Sequence, residues 1–303
     1  MLPFARVAVL GLGLIGSSVA RGVRASMPSV ALTGYDVDPQ VRETARAIDL
    51  VDDVADTAGA AVIDADLVIL CVPVGAMGAL AVEFADDLAR EAIVSDVGSC
   101  KASVVEALTA ALPGATIVPA HPVAGTEKSG PEAGFASLFH KRWCIVTPAP
   151  GSPDVAVERV SEFWRRLGAD VEIMEPEHHD RVLAVTSHLP HLIAYTIVGT
   201  ASDLEEVTSS EVIKYSAGGF RDFTRIAASD PTMWRDVFLA NRDAVLDMLQ
   251  RFSEDLSELQ RAIRWGKGDQ LFDTFTRTRA VRRSIIEQGQ DDARADFGRS
   301  DHQ

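Results

Sequence analysis

The chain has 303 residues and a mass of 32.5 kDa, which suits two domains of ordinary size, each with its own core. Its 47% apolar and 24% charged residues exclude a disordered or fibrous chain. Acidic residues outnumber basic ones by 44 to 29, and the resulting charge of −15 disfavours nucleic acid and anionic membranes as partners.

Cysteine usage and the N-terminal segment predict a cytoplasmic protein. Cys71, Cys100 and Cys144 are widely spaced and form no CxxC pair, as is typical of a reducing compartment. The apolar N-terminal segment is short, lacks the basic region of a leader peptide and runs into a glycine-rich loop. We expect no apolar stretch near the roughly 20 residues that span a bilayer.

The N-terminal part of the chain alternates short β-branched runs with amphipathic helical stretches. The runs are nearly continuous in apolar residues, as in strands with helices on both faces. They predict strands at 6–11, 30–36, 67–73, 92–98, 115–122 and 144–148, and a closing strand at 169–174. This alternation predicts an α/β fold, with a Rossmann-type doubly wound sheet over residues 1–176.

Helical spacing replaces the strand pattern beyond about residue 178. We assign 177–290 to an all-α helical domain and expect the polar, aperiodic segment 291–303 to be a flexible tail. Spacing alone leaves open whether the long helix predicted at 237–263 packs in an intramolecular bundle or at a subunit interface. Its broad apolar face is formed by Val237, Leu239, Val245, Leu246, Met248, Leu249, Phe252 and Leu256.

A glycine-rich loop, GLGLIG, follows the first predicted strand. Gly11 permits a tight turn, Gly13 lets the backbone approach a pyrophosphate, and Gly16 lets the next helix pack on the strand. Leu14 and Ile15 open that helix, whose N-terminal amides suit a diphosphate. The motif predicts a dinucleotide site, and the alternative is a Rossmann-like domain that binds no nucleotide.

Asp36 ends the second predicted strand, about 20 residues beyond the loop, where a ribose-binding carboxylate is expected. A carboxylate accepts from the ribose 2′-hydroxyl and repels a 2′-phosphate, and no Arg or Lys occupies 37–40. The predicted cofactor is therefore NAD, with NADP less favoured.

Other strand ends should face the same crevice, because ligands bind beyond the carboxyl ends of parallel strands. They supply Val72, Pro73, Ser99 and His121. Ser99 suits a hydrogen bond near a nicotinamide or a substrate hydroxyl, or the N-cap of the following helix. His121 suits a base that removes a hydroxyl proton, and the alternative is a structural histidine.

Histidines also cluster in the helical part. His188 and His191 are three residues apart on one helix face, which suits substrate contact, a structural pair or a metal site. No Cys or Glu lies nearby at ligand spacing, so we predict no metal. The triplet His178, His179 and Asp180 is interpreted as the start of a helix near the domain junction.

Two arginines follow a glycine turn at Gly218. Arg221 and Arg225 lie four residues apart near a helix start, and in so acidic a protein they suggest capture of a substrate carboxylate. Gly218 is grouped with them as a substrate-site residue. Ion pairing with a neighbouring aspartate is the alternative for both arginines.

Together these segments resemble the prephenate/arogenate (cyclohexadienyl) dehydrogenases of tyrosine biosynthesis, over about residues 5–285. The motifs that carry the resemblance are GLGLIGSS, DVGSCK, HPVAGTEKSG, SHLPHLIA and GGFRDFTRIAASDPTMWRD. The resemblance implies a Rossmann domain, a helical dimerisation domain in a homodimer, and NAD(P)-dependent oxidative decarboxylation of prephenate or arogenate. Feedback inhibition by tyrosine, if present, would act at the active site or its edge.

The resemblance also implies roles for individual residues. His121 matches the histidine that assists deprotonation of the ring C4 hydroxyl, and Ser99 matches the serine beside that hydroxyl. Arg225 matches the arginine that holds a substrate carboxylate, whereas Arg221 stands where relatives can carry Lys, which leaves its geometry open. Further residues that contact substrate or line its cleft match at His188, His191, Glu127 and Trp234.

Two other functions stay open at this point. A β-hydroxy acid dehydrogenase or an imine reductase usually relies on a lysine in the helical half, for which Lys214 is the obvious candidate. A non-catalytic NAD-sensing protein would leave His121 and Arg225 without a role. Prephenate and arogenate differ only in a keto or amino group, and the sequence does not separate them.

Overall fold

The computed structural model of the protein describes residues 2–126, 128–208 and 218–287. The chain forms two compact units, one comprising Met1–His188 and Ala228–Val245, and the other comprising Leu189–Ala227 and Leu246–Gln303. The domain boundary placed between residues 176 and 177 remains a prediction.

The first unit is built on a six-stranded parallel sheet. Its strands are β1 (Arg6–Leu10), β2 (Ala31–Tyr35), β3 (Asp53–Val54), β4 (Leu67–Leu70), β5 (Ile93–Asp96) and β6 (Thr116–Ile117). They lie in the order β3-β2-β1-β4-β5-β6, and each neighbouring pair is parallel. The sequence analysis missed β3, which has two residues and is too short for a periodic pattern.

Helices cover both faces of this sheet. Those that follow the first five strands are α1 (Leu14–Ser26), α2 (Pro39–Ala47), α3 (Ala58–Val62), α4 (Met77–Phe84) and α5 (Ala102–Ala111). Within β1, Val7 and Val9 belong to one hydrophobic cluster, whereas Ala8 and Leu10 belong to the other, because successive side chains point to opposite faces. The predicted α/β class with a doubly wound sheet is confirmed.

A smaller sheet of three strands follows. Its strands are β7 (Ala120–Pro122), β8 (Trp143–Val146) and β9 (Asp170–Ile173), with α6 (Asp154–Arg166) between the last two. β7 and β8 are antiparallel, whereas β8 and β9 are parallel. The strands predicted at 144–148 and 169–174 are therefore present, but they lie in this smaller sheet and not in the doubly wound one.

The strand predicted at 115–122 is also divided. Val118 still donates to the carbonyl of Val94 in β5, as a main-sheet residue does. Pro119 has no amide hydrogen to continue the ladder, and the chain leaves the main sheet there. His121 consequently lies in the smaller sheet, opposite Ile145 of β8.

The remaining helices of the described residues are α7 (Pro176–Leu183), α8 (Leu189–Thr208), α9 (Gly218–Thr224), α10 (Pro231–Ala240), α11 (Arg242–Arg264) and α12 (Gly268–Glu287). A π-helical turn, Ala184–His188, ends two residues before Pro190, which has no amide hydrogen for the carbonyl one turn back. A short 3₁₀ turn, Arg225–Ala228, follows α9.

The helix predicted at 237–263 is interrupted at Asn241, where α10 ends. The backbone angles of Asn241 (φ −109°, ψ 34°) are not helical, and its side chain donates to the carbonyl of Asp180. Within one chain the predicted apolar face is only partly covered, with Val237 and Val245 buried. Three members of that face are more than half exposed: Leu239, Leu246 and Leu256.

One helical run among the described residues is long and apolar enough to cross a membrane by length and composition. It covers Pro176–Leu204, 29 residues, with a mean hydropathy of 1.4 in its most apolar window. The expectation that no stretch approaches this length is wrong. The run carries His179, Asp180 and His188, which are buried and hydrogen-bonded inside the first unit, so this part of the run packs within the protein.

Candidate active site

The glycine loop lies at the carboxyl edge of the parallel sheet and meets the steric requirements of its motif. Gly11 has φ +101°, and a Cβ there would lie 2.6 Å from the carbonyl oxygen of Cys71. A Cβ on Gly16 would overlap the carbonyl oxygen of Gly11, whereas one on Gly13 would meet nothing within 4 Å. The loop therefore packs tightly at Gly11 and Gly16 and leaves its backbone open at Gly13, as a pyrophosphate at a helix N-terminus requires. Two half-buried residues open α1 beside it: Leu14 and Ile15.

Asp36 follows β2, and backbone amides fix its carboxylate. Oδ2 accepts from the amide of Leu12 at 2.8 Å, and Oδ1 accepts from that of Asp38 at 3.0 Å. Arg42, which was not predicted from the sequence, donates from Nη1 to the carbonyl oxygens of Asp36 (2.6 Å) and Val37 (3.2 Å). A cation thus lies beside the backbone of Asp36, although no Arg or Lys occupies residues 37–40.

The loops after β4 and β5 bring more predicted residues to this edge of the sheet. They contain Val72, Pro73 and the half-buried Ser99. The alternative role of Ser99 as a helix N-cap is wrong, because α5 begins at Ala102 and Lys101 is its N-cap. Ser99 is therefore not committed to that role.

A buried ion pair ties the loop after β5 to the strand that carries His121. The Nζ of Lys101 bonds to the carboxylate of Asp96 and donates to the carbonyl oxygen of Ala120 at 2.8 Å. Both charged side chains are fully buried. The segment carrying Ser99 is therefore held to the residue that precedes His121.

His121 begins a chain of buried hydrogen bonds that ends at the N-terminus of α5. Its Nδ1 lies 2.8 Å from Nε2 of His179, and Nδ1 of His179 lies 2.8 Å from Oδ1 of Asp180. The Asp180 carboxylate also accepts from the amides of Lys101 (2.8 Å) and Ala102 (2.9 Å). This chain of hydrogen bonds could not be predicted from the sequence, because His121 and the start of α5 lie 58 or more residues from the partners they meet in the fold.

The surroundings of these residues keep both histidines uncharged at neutral pH. Burial lowers the pKa of His121 well below its ordinary value of 6.5, and the nearby His179, Lys101 and His188 lower it further. Burial also lowers the pKa of His179. Burial by itself raises the pKa of Asp180, but hydrogen bonds from His179 and from two backbone amides outweigh it, so the net shift is downward and Asp180 is ionised.

His188 and Trp234 lie in the same unit as His121. The fully buried His188 has its Nδ1 3.1 Å from Nδ2 of Asn241, and Asn241 also donates to the carbonyl of Asp180 at 2.8 Å. The rings of His188 and Trp234 meet edge to face, with 6.0 Å between centroids. Asn241, which interrupts the predicted long helix, thus joins His188 to the segment that supports His121.

The other predicted substrate residues lie in the second unit: His191, Gly218, Arg221 and Arg225. His191 is half-buried in α8, whereas Arg221 and Arg225 are exposed. Neither arginine forms an ion pair with another described residue of this unit, so their alternative role as paired surface cations gains no support. Glu127 and Lys214 lie outside the described residues.

No cluster of three or more His, Cys, Asp or Glu side chains suited to a metal ion occurs in the part of the chain that the structure describes. The three cysteines are free thiols. The described residues at the carboxyl edge of the sheet include a histidine, a serine and buried charged groups.

A doubly wound sheet with a dinucleotide loop, a fixed carboxylate after β2 and an uncharged buried histidine together define a nucleotide-dependent dehydrogenase. Residues 19–173 match the nucleotide-binding domain of prephenate dehydrogenase, and residues 175–277 match the dimerization domain of the same enzymes. The chain belongs to the prephenate dehydrogenase family of oxidoreductases.

Individual relatives agree with this assignment. Cyclohexadienyl dehydrogenase from Zymomonas mobilis is 45% identical over 285 residues, which cover 94% of this chain and 97% of the relative. Prephenate dehydrogenase from Bacillus subtilis is 34% identical over 271 residues, covering 89% of this chain and 73% of the relative. The solved structure of A. aeolicus prephenate dehydrogenase with hydroxyphenyl propionate and NAD+ has a TM-score of 0.87 at 33% identity, covering 94% and 98% of the two chains.

Proposed function

We propose that the protein catalyses the oxidative decarboxylation of prephenate, of arogenate, or of both, with NAD as the oxidant. The observation that carries this proposal is the buried His121, whose lowered pKa keeps it uncharged at neutral pH. Lys101 joins the strand of His121 to the segment that carries Ser99, and the chain belongs to the prephenate dehydrogenase family. The products would be 4-hydroxyphenylpyruvate from prephenate and tyrosine from arogenate.

The residues of the glycine loop fit NAD. Gly13 leaves the backbone open to a pyrophosphate, and the carboxylate of Asp36 suits the ribose hydroxyls. When bound, NAD accepts the hydride that leaves ring C4 of the substrate. The NAD+ in the A. aeolicus structure supports the same cofactor here. The Asp36 carboxylate would repel the 2′-phosphate of NADP, and Arg42, whose guanidinium donates to the backbone of Asp36, does not add to that preference. Further residues expected to line the cofactor are Leu14, Ile15, Val72 and Pro73.

His121 is the proposed base. It takes the proton of the C4 hydroxyl while the hydride leaves the same carbon, and its lowered pKa keeps it ready to do so at neutral pH. Ser99 forms a hydrogen bond with that hydroxyl and orients it. Loss of the ring carboxylate as CO₂ is driven by aromatisation of the ring, so positioning and charge placement suffice for catalysis.

The two carboxylates of prephenate need cations in an acidic protein. Arg225 is the proposed primary partner of a substrate carboxylate, and Arg221 is secondary. Their exposure and their lack of an ion pair with other described residues of their unit support this assignment. The other proposed substrate-site residues are His188, His191, Gly218, Glu127 and Trp234.

We further propose a cytoplasmic homodimer in which tyrosine inhibits by binding at the active site. The match to the dimerization domain and the exposed apolar side chains of the last two helices support the dimer. The three free thiols agree with a reducing compartment.

Formation of NADH by the purified protein tests the proposal directly. Prephenate and arogenate are assayed separately, each with NAD and with NADP, and we expect turnover of at least one substrate with NAD preferred. Intact NAD binding without turnover of either compound would refute the proposal in favour of an NAD-sensing protein. Turnover of a β-hydroxy acid alone would identify a different dehydrogenase.

A further inference from the structure

His179 and Asp180 form a pair that is hydrogen-bonded to the proposed base, His121, and has no role in the proposed reaction. His179 is fully buried, and Asp180 is 4% exposed. The pair connects His121 to the start of α5, so its hydrogen bonds determine which ring nitrogen of His121 carries a proton.

The position of the first proton follows from the donors around Asp180. Its carboxylate accepts from the amides of Lys101 and Ala102, and an amide N–H can only donate. The lowered pKa of Asp180 means that it is ionised at neutral pH and has no proton to give. Nδ1 of His179, at 2.8 Å, therefore carries a proton and donates it to Asp180.

The position of the second proton follows from the first. An uncharged His179 that is protonated on Nδ1 has a lone pair on Nε2. That Nε2 lies 2.8 Å from Nδ1 of His121, which must donate to it. An uncharged His121 that is protonated on Nδ1 then has its own lone pair on Nε2.

We propose that His179 and Asp180 are positioning residues that hold His121 in the tautomer whose Nε2 accepts the substrate proton. The proposal rests on the proposed role of His121 as the base. A neutral imidazole in water prefers its proton on Nε2, and in that tautomer His121 would present a donor where an acceptor is needed. Once His121 has taken the proton from the hydroxyl oxygen, the negative charge of Asp180 also stabilises the cation through His179.

Substitutions at His179 test this arrangement more cleanly than substitutions at Asp180. Asp180 also holds the first amides of α5, so its loss would disturb the segment that carries Ser99. In His179→Gln, the amide oxygen can accept from His121 and the amide NH₂ can donate to Asp180. In His179→Leu, a side chain of comparable size can do neither.

The experiment measures kcat, KM and the histidine tautomer in the same set of variants. His179→Leu should lower kcat by roughly 10²–10³-fold while KM for prephenate and the Kd for NAD change by less than about threefold. His179→Gln should keep kcat within about tenfold of the parent. The matched control is His178→Leu, at an exposed neighbour in α7, which should change neither constant.

Nuclear magnetic resonance of ¹⁵N-labelled histidine reads the tautomer without any substrate. In the parent at neutral pH, Nε2 of His121 should be unprotonated, and in His179→Leu it should become protonated. A parent protein with its proton on Nε2, or a His179→Leu kcat within about threefold of the parent, would overturn the proposal. A parent protein that turns over neither prephenate nor arogenate would instead refute the proposed function. The tautomer measurement would still show whether His179 and Asp180 hold the proton of His121 on Nδ1.

Discussion

The two units of the chain differ in where their apolar side chains go. Among the described residues, the buried members of both hydrophobic clusters lie between Phe4 and Ala169, in the first unit. In the second unit, large apolar side chains near or within α12 are exposed, such as Trp265 at 62% and Phe272 at 70%. Apolar side chains therefore form a closed core in the first unit and remain exposed on the last helix of the second.

Periodicity shows which side chains share a face and does not show what covers that face. In the first unit, helices of the same chain cover the sheet, so a buried strand could be predicted from its apolar run alone. In the second unit, the proposed partner copy would cover the face. The units also differ in chemistry, because the proposed base His121 is buried in the first and the proposed carboxylate-binding Arg225 is exposed in the second.

Loss of the proposed base in the first unit should lower turnover more than any other change. His121→Asn should lower kcat by roughly 10²–10⁴-fold, because the positioned proton acceptor is lost. The fold and NAD binding should persist, since the Asn amide can still donate to His179. Steady-state kinetics and circular dichroism check this, with His178→Asn as the exposed control. A His121→Asn variant within about threefold of the parent would remove His121 from the mechanism.

A second large effect should appear in KM and should come from the second unit. A charge-assisted pair is worth about 2–4 kcal/mol, so Arg225→Gln should raise KM for prephenate by roughly 30- to 1,000-fold with NAD affinity little changed. Arg251→Gln is the matched control, because Arg251 is an exposed arginine that pairs with Asp255 at 3.6 Å. If Arg225→Gln lowers the melting temperature and leaves KM unchanged, Arg225 is a structural residue.

The parts of the site that could be predicted from the sequence are those that depend on local geometry. The glycine loop and Asp36 were found because a turn, a helix start and a strand end follow one another within about 25 residues. The hydrogen bond of His179 was not predicted, because its partner His121 lies 58 residues away. The break at Asn241 was missed for the same reason, because the carbonyl of Asp180, to which its side chain donates, lies 61 residues away.

A smaller effect, on the affinity of the proposed dimer, should distinguish the exposed apolar surface of α12 from that of α6. Phe272 in α12 and Val155 in α6 are almost equally exposed, at 70% and 69%, but only Phe272 lies in the segment that matches a dimerization domain. Burying a phenylalanine is worth about 1.5–3 kcal/mol, so Phe272→Glu should weaken the proposed dimer by roughly 10- to 100-fold in Kd. Val155→Glu should leave it unchanged.

Sedimentation equilibrium over a range of protein concentrations measures both variants. A parent protein that is monomeric at every concentration would show that the open apolar face is not covered by a second copy. Equal weakening by Phe272→Glu and Val155→Glu would show that added charge, and not loss of an interface, causes the effect.

The smallest change should be a loss of stability of the first unit as the pH falls. Burial lowers the pKa of His121 and His179 below 6.5, so below about pH 6.5 the unfolded chain binds protons there that the folded chain does not. The free energy of unfolding should therefore fall as the pH falls, by at most about 1.4 kcal/mol per pH unit for each histidine, and should be insensitive to these groups above that pH. The charged or titratable groups that face the two histidines are Lys101, His188, Asp180 and Asp96.

Hydrogen exchange resolved by residue can assign this loss to one region, whereas a single melting temperature cannot do so for a chain with two units. Between about pH 7.5 and about pH 5.5, protection corrected for intrinsic exchange should fall more in β7 and α7, which carry the histidines, than in α11. The pH dependence should shrink in His121→Asn and in His179→Leu, because each removes one group that takes up a proton on unfolding. Equal loss of protection in α11 would mean that acid acts on the whole chain, and the buried histidines would then not be its cause.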